Sequence, residues 1–249
     1  MTREQCRIVA VYFWLCAAPL VGCAHRDTPP QTPSPGAAVV APKENKTPTQ
    51  PIPAKAPPPK AAAADSNTNA WQSMFDGKSM RGWKESDFPG KGEVSVQDGK
   101  LVLGMGYMTG VTWTGDIPRM SYEVELEAMR VEGTDFFCGM TFPVGPDPCS
   151  FIVGGWGGGV VGISSLDGQD AANNETAQYL NFEKGRWYKI RLRVIPEKIL
   201  AWIDDDKIVD VETTGRRISI RIEVEPSVPF GFSTWSTTGA LRNIRIRKV

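Results

Sequence analysis

Residues 153–162 read VGGWGGGVVG, and the chain continues as ISSLDGQDAANNETAQY. The first stretch sets one indole, Trp156, between Gly154-Gly155 and Gly157-Gly158-Gly159. The second clusters Asp167, Asp170, Asn173, Asn174 and Glu175 just beyond a strand end. Two chemistries use such oxygen-rich side chains. Asp167, Asp170 and Glu175 suit a hard divalent cation such as Ca²⁺, which takes six to eight oxygen ligands, although their spacing is not that of an EF-hand. The same acids, with Asn173 and Asn174, equally suit hydrogen bonds to sugar hydroxyls. A solvated turn rich in Asx residues stands level with both. Trp113 in GVTWTGD and Trp235 in FSTWSTTG also lie beside glycine, serine and threonine. Three such indoles fit a ligand face, since sugar C–H groups lie well on an aromatic ring and clefts join an apolar wall to a few polar groups.

Other constellations carry less. Glu123, Glu125 and Glu127 share one face of a strand, a spacing compatible with the paired carboxylates of a glycosidase. Lys189, Arg191 and Arg193 form a matching basic row, and cross-strand ion pairs on a wet sheet face explain both. The GMGYMTG run at 104–110 has the wrong spacing for a dinucleotide loop and no helix after it, and reads as a strand with a bend. The single histidine, His25, lies far upstream in a proline-rich segment. A Ser-His-Asp triad, a Cys-His pair and a histidine-rich zinc site are therefore excluded from the rest of the chain.

The elements that must position these residues are strands. Apolar and polar residues alternate through SYEVELEAM, WYKIRLRVI and ALRNIRIR, one face to a core and one to water. Candidate strands cover 93–97, 100–104, 121–131, 135–142, 149–154, 159–164, 187–195, 198–204, 207–212, 229–235 and 240–247. Asp98-Gly99 is the signature of a type I′ hairpin turn. No stretch has a useful helical period. Short strands with such turns predict an all-β sandwich or barrel spanning 71–249. By pattern Trp83, Trp187 and Trp202 belong to its core. Cys138 and Cys149 flank a turn, PVGPDP, and an even pair in an exported domain points to a disulfide, with two buried thiols as the alternative.

Upstream, Arg3 and Arg7 precede an apolar run from Ile8 to Gly22 that is too short for a bilayer core of about 30 Å and reads as a secretory signal, residues 1–22. The run ends Leu20-Val21-Gly22-Cys23, which resembles a bacterial lipobox. That resemblance implies lipidation of Cys23 and attachment to a membrane. Residues 23–70 are rich in proline and alanine and nearly free of large apolar side chains, the composition of a disordered tether. With 28 basic and 28 acidic residues the chain lacks the positive excess of a nucleic-acid binder.

MFDGKSMRGW, VSVQDGKLV, SYEVELEAMR, GRWYKIRLRV, ILAWIDDDKIVDV and LRNIRIR, in that order, resemble the 3-keto-disaccharide hydrolase-like domain family. The resemblance implies a concanavalin A-like two-sheet jelly roll, export on a lipid anchor, and cleavage of a glycosidic bond in a sugar oxidised at C3. A ketone there acidifies the neighbouring C–H, so a carboxylate base, together with a cation, could promote elimination of the leaving sugar; Asp135, Asp167, Asp170 and Glu175 are the candidates for the base. The chain departs from the family at Cys138-Gly139-Met140, at CSFIVGGWGGGVVG, and at Ser233-Thr234-Trp235-Ser236, where a histidine-glycine pair is expected. Sandwiches of this fold also serve as lectin or laminin-G-like modules, so a non-catalytic glycan-binding role stands beside the enzymatic one.

Overall fold

The structure, a computed structural model, describes residues 69–249. The signal segment 1–22, Cys23, His25 and the tether up to residue 68 lie outside the described residues. The strands are β1 (Gln72–Ser73), β2 (Trp83–Glu85), β3 (Val94–Gln97), β4 (Lys100–Leu103), β5 (Met108–Trp113), β6 (Tyr122–Gly133), β7 (Cys138–Val144) and β8 (Asp147–Gly155). They continue as β9 (Val160–Ser164), β10 (Gln178–Tyr179), β11 (Trp187–Ile195), β12 (Lys198–Ile203), β13 (Asp206–Glu212), β14 (Gly231–Trp235) and β15 (Thr237–Lys248). One 3₁₀ helix, Ile222–Ser227, precedes β14. The pairing is antiparallel throughout. One sheet runs β13-β12-β11-β6-β15-β4-β3 with β1 beside β15, and the other runs β10-β9-β8-β7-β14-β5-β2. The two face each other as a jelly-roll sandwich, the architecture expected from alternation.

Period-two patterning sorts the faces. Val124, Leu126, Ile190, Leu192, Leu241 and Ile246 enter the core from the first sheet; Met140, Phe142, Phe151, Ile163 and Phe232 meet them from the second. The hairpin between β3 and β4 turns through Asp98 at φ 48° and Gly99 at φ 77°, both left-handed, as a type I′ turn demands. Strands β1, β2 and β10 fall outside the candidate strands, and β5 overlaps only the end of the bent run at 104–110. They are short or glycine-interrupted; β1 and β5 draw their partners β15 and β14 from far along the chain, while β10 pairs with β9, the strand before it.

The glutamate row is structural. Lys189, Arg191 and Arg193 on β11 stand opposite Glu127, Glu125 and Glu123 on β6, while Arg242, Arg245 and Arg247 on β15 stand opposite the same three acids. Glu123 is fully buried between them, its Oε2 accepting from Arg247 Nη2 at 2.7 Å and Arg193 Nη2 at 3.1 Å. Burial pushes the Glu127 carboxyl upward, but hydrogen bonds from Arg242 and Asn243 outweigh it and hold the group below its usual value.

Two core assignments are corrected by this face. Trp187 and Trp202 point outward, not into the sandwich: the Arg242 guanidinium lies 4.1 Å over Trp187 and that of Arg191 4.0 Å over Trp202. Their positions share the parity of Lys189 and Lys198, and an indole is as well served by a guanidinium stack as by burial. Trp83 is in the core.

The expected disulfide is also corrected. Cys138 and Cys149 are both buried and free. The β7–β8 register pairs Cys138 with Val153 and Cys149 with Phe142. Four strand steps at roughly 3.4 Å each separate them, against a Cα–Cα limit of about 7 Å for a bridge. Burial pushes both thiols up, Cys149 to about 12.

Candidate functional site

The site lies on the outward face of the second sheet, and strand parity decides what reaches it. On β8, Cys149, Phe151 and Val153 turn to the core, so Ser150 and Ile152 turn out. On β9 the outward set ends in Ser164; on β14 it is Ser233 and Trp235; on β5 it includes Met108. Gly139 on β7 keeps this surface low, since a Cβ there would stand 3.0 Å from the Phe136 ring and 3.1 Å from Ser233 Oγ. Phe136, Trp156 and Trp235 line the resulting cleft together with Arg221, Glu223 and Val224. Its volume is about 250 Å³, the size of a single sugar ring with some water. The hydroxyl of Ser164, on the floor, is buried with no hydrogen-bond partner.

Trp156 is 44% exposed and sits in the β8–β9 turn at φ 49°. The turn is held from beneath by Arg130, reaching across from β6. Its Nη2 donates to the carbonyls of Gly154 at 3.1 Å and Gly158 at 2.8 Å. A Cβ at Gly154 would fall 2.5 Å from that nitrogen, and one at Gly158 would fall 2.8 Å from the Thr134 carbonyl. Gly154 thus admits the buried Arg130 guanidinium against the turn, and Gly158 admits the Thr134 carbonyl. From the cleft side Asp135 holds the same turn: its Oδ2 accepts the Gly157 amide at 2.9 Å and its Oδ1 the Phe136 amide at 2.8 Å.

Asp135, Trp156 and Trp235 therefore meet at the cleft. Trp113 does not: it shares the inward parity of Val111, packs edge-on against Trp83 at 5.1 Å, and donates its indole N–H to the Asp116 carbonyl. The loop acids are drawn to arginines. Asp167 and Glu175 both accept from Arg216, and Asp167 also accepts the Arg217 amide. The Arg217 amide first, then Arg216, lowers the Asp167 pKa; Arg216 lowers that of Glu175. Among the described residues no group of three or more His, Cys, Asp or Glu stands together to hold a metal. Asn174 is buried, its amide donating to the carbonyls of Ile163, Gln169 and Asp170. Asn173 donates to Asp170. Only Asp170 is tied to the cleft, through Arg221 at 2.9 Å.

Residues 70–247 match the profile of the 3-keto-alpha-glucoside-1,2-lyase-like domain. The chain belongs to that family. No curated protein sequence matches it. Among solved structures, the Crh5 transglycosylase in complex with NAG is similar at 11% identity over 73% of this chain and 85% of its own, with a TM-score of 0.51. A native glycosidic hydrolase is similar at 10% identity over 72% of this chain and 95% of its own, TM-score 0.50. The carbohydrate-binding module CBM66 from Bacillus subtilis aligns at 11% identity over 67% of this chain and 96% of its own, TM-score 0.47. At these identities the first two likenesses speak for the fold, which this family member shares.

Arg221 and Glu223 escaped the sequence reading, because IRIEVEP alternates like one more strand. Pro226 is the available sign that it folds otherwise. Glu223 Oε1 accepts from Arg221 Nη2 at 2.6 Å, and this bond holds the carboxyl below its usual value and raises the guanidinium. The cleft of this family member thus carries an ionised carboxylate, a paired cation, two indoles and a free hydroxyl.

Proposed function

We propose that the chain is an exported carbohydrate-active protein, lipid-anchored through Cys23, that cleaves glycosides oxidised at C3 on the outward face of its second sheet. The observation that carries the reading is the pairing of Glu223 with Arg221 at the wall of a sugar-sized cleft, in a family named for 3-keto-α-glucosides. Glu223 takes the proton from C2, made acidic by the ketone. The released electron pair forms an enolate whose oxygen faces Arg221. The enolate then collapses: the C3 carbonyl re-forms, C1=C2 forms, and the C1–O bond breaks with its electrons going to the leaving oxygen, which takes a proton from water. Later addition of water across C1=C2 makes the net result hydrolysis. Fixed charges in a cleft that sheds water are worth most where charge develops in the transition state. Trp156 and Trp235 offer flat faces to the substrate, and Asp135 positions Trp156.

The test is release of the leaving group from 3-keto-α-glucosides by wild type, Glu223→Gln and Arg221→Gln. Loss of at least a hundredfold in Glu223→Gln is expected for removal of a general base. Equal rates in wild type and a heat-killed control sink the reading. Anchoring is tested separately: Cys23→Ser moves the protein from the membrane fraction to the soluble one, and no movement refutes the anchor.

One observation favours a second reading, glycan binding without turnover. Both oxygens of Asp135 are already taken by backbone amides, and Glu223 is ion-paired. A glycan array with Trp156→Ala as control separates the two; saturable binding without product would select the module.

A further inference from the structure

The GMGYMTG segment has no part in the chemistry above. Gly104 and Gly106 lay it directly on the segment that leads into β3: a Cβ at Gly106 would fall 2.3 Å from the Gly92 nitrogen, and one at Gly104 would fall 2.7 Å from the Glu93 carbonyl. The Tyr107 amide donates to the Gly90 carbonyl at 2.8 Å, and the Tyr107 carbonyl accepts the Ser236 amide at 3.2 Å. A backbone clamped from two sides presents its side chain in a fixed place. That place is against Trp235, at 4.5 Å between ring centroids. Trp235 in turn lies 6.4 Å from Phe136. Trp235 thus neighbours both Phe136, which lines the cleft with it, and Tyr107. The last is 57% exposed, and Met105 beside it in sequence is 46% exposed.

We infer that Tyr107 and Trp235 form a shelf for the leaving group, and that Tyr107 selects glycosides whose leaving group is an aromatic ring. The inference rests on the reading that the cleft acts on 3-keto-glycosides, and names which ones. The two ends of the site differ in chemistry. The floor offers the Ser164 hydroxyl, buried and unpartnered, with Arg221 and Glu223 on the wall, groups suited to the hydroxyls and ketone of the reacting sugar. Trp235 and the exposed Tyr107 offer flat apolar faces whose own polar groups are a phenol and an indole N–H. A second sugar there would leave most of its hydroxyls without partners, which is costly once water is displaced. An aromatic ring asks for no such partners and gains from stacking. The glycines of 104–110 are thus the means of placing this shelf.

The test uses the full chain and three substrates: phenyl, methyl and glucosyl 3-keto-α-glucoside. Wild type is expected to favour phenyl over both others in kcat/KM. Tyr107→Ala lowers the phenyl-to-methyl ratio about tenfold, and Tyr107→Phe keeps it, since the ring and not the hydroxyl carries the effect. A ratio unchanged in Tyr107→Ala, or a preference for the glucosyl substrate, overturns the inference. Should wild type turn over none of the three, the proposed reaction fails on its own. The shelf is then read by calorimetry with the phenyl and methyl compounds: tighter phenyl binding that Tyr107→Ala abolishes supports it, and equal or absent binding overturns it.

Discussion

The carboxylate of Asp135 accepts the amide of Gly157 at 2.9 Å, one residue beyond Trp156. A side chain at the start of one hairpin thereby fixes the turn of the next and sets the height of an exposed indole. Asp135→Ala should weaken binding of a cleft ligand about tenfold, the value of a charge-assisted hydrogen bond. Asp135→Asn, which keeps one acceptor, should lose less. Trp156→Ala should abolish more binding than either while leaving the melting temperature nearly unchanged, because the ring is substantially exposed. Titration calorimetry with thermal melts checks all three; a Trp156→Ala protein that binds like wild type removes the indole from the site.

The pair of Glu223 and Arg221 makes a pH prediction. Arg221 holds the Glu223 carboxyl below its usual value, so the base stays ionised to lower pH than an ordinary glutamate. The acid limb of kcat/KM should lie below that value in wild type. Arg221→Gln removes the cation, raises the Glu223 pKa, and should move the limb upward as well as slow the reaction. A slower variant with an unmoved limb would assign the base elsewhere.

Arg216 joins Asp167 and Glu175, whose pKa values it helps depress below the usual carboxylate range. A depressed carboxyl stabilises the fold above its unfolded pKa, and that contribution is lost as pH falls through the folded value. Arg216→Ala should therefore melt slightly below wild type at pH 6, with the gap closing towards pH 2. The effect is small, since the acids are about half exposed. A gap that persists undiminished at low pH contradicts an ionic origin.

On the opposite sheet, Glu123 and Glu127 belong to one row but differ in burial. Glu123→Gln removes a carboxylate that is itself fully buried and leaves Arg193 and Arg247 short of a charge, and should cost about 3 kcal/mol. Glu127→Gln, whose side chain is 30% exposed, should cost under about 1 kcal/mol. Urea unfolding measures both, and equal losses would mean that burial does not set the scale here.

The thiols of Cys138 and Cys149 should be silent to an alkylating reagent in the native protein and both modified after unfolding without reductant. Their burial and raised pKa values account for the first result, and the four-residue register offset for the second. Peptide mapping that finds them joined would refute the register.

The fold was legible because alternation along β6, β11 and β15 is a local property: each inward Val, Leu or Ile has its polar neighbour beside it in sequence. The opposed acid and base rows could be read for the same reason. Whether a tryptophan on such a strand goes in or out was also written in its parity, yet hydrophobicity alone sent Trp187 and Trp202 to the wrong side. The cleft was legible only in part. Trp156, Trp235 and Asp135 stood out by type and setting, and the three meet at its rim. What local pattern cannot carry is the partner across the fold. Arg130 reaches under Gly154 and Gly158 from the other sheet, Arg216 takes Asp167 and Glu175 from some forty residues away, and Arg221 with Glu223 arrives on a 3₁₀ turn that reads as a strand. The residues and their spacing determined which groups were present and which face each strand turned to the core. Only tertiary structure decided which charges were free to meet a ligand, because a carboxylate's chemistry depends on its nearest cation, and distance in space is not distance along the chain.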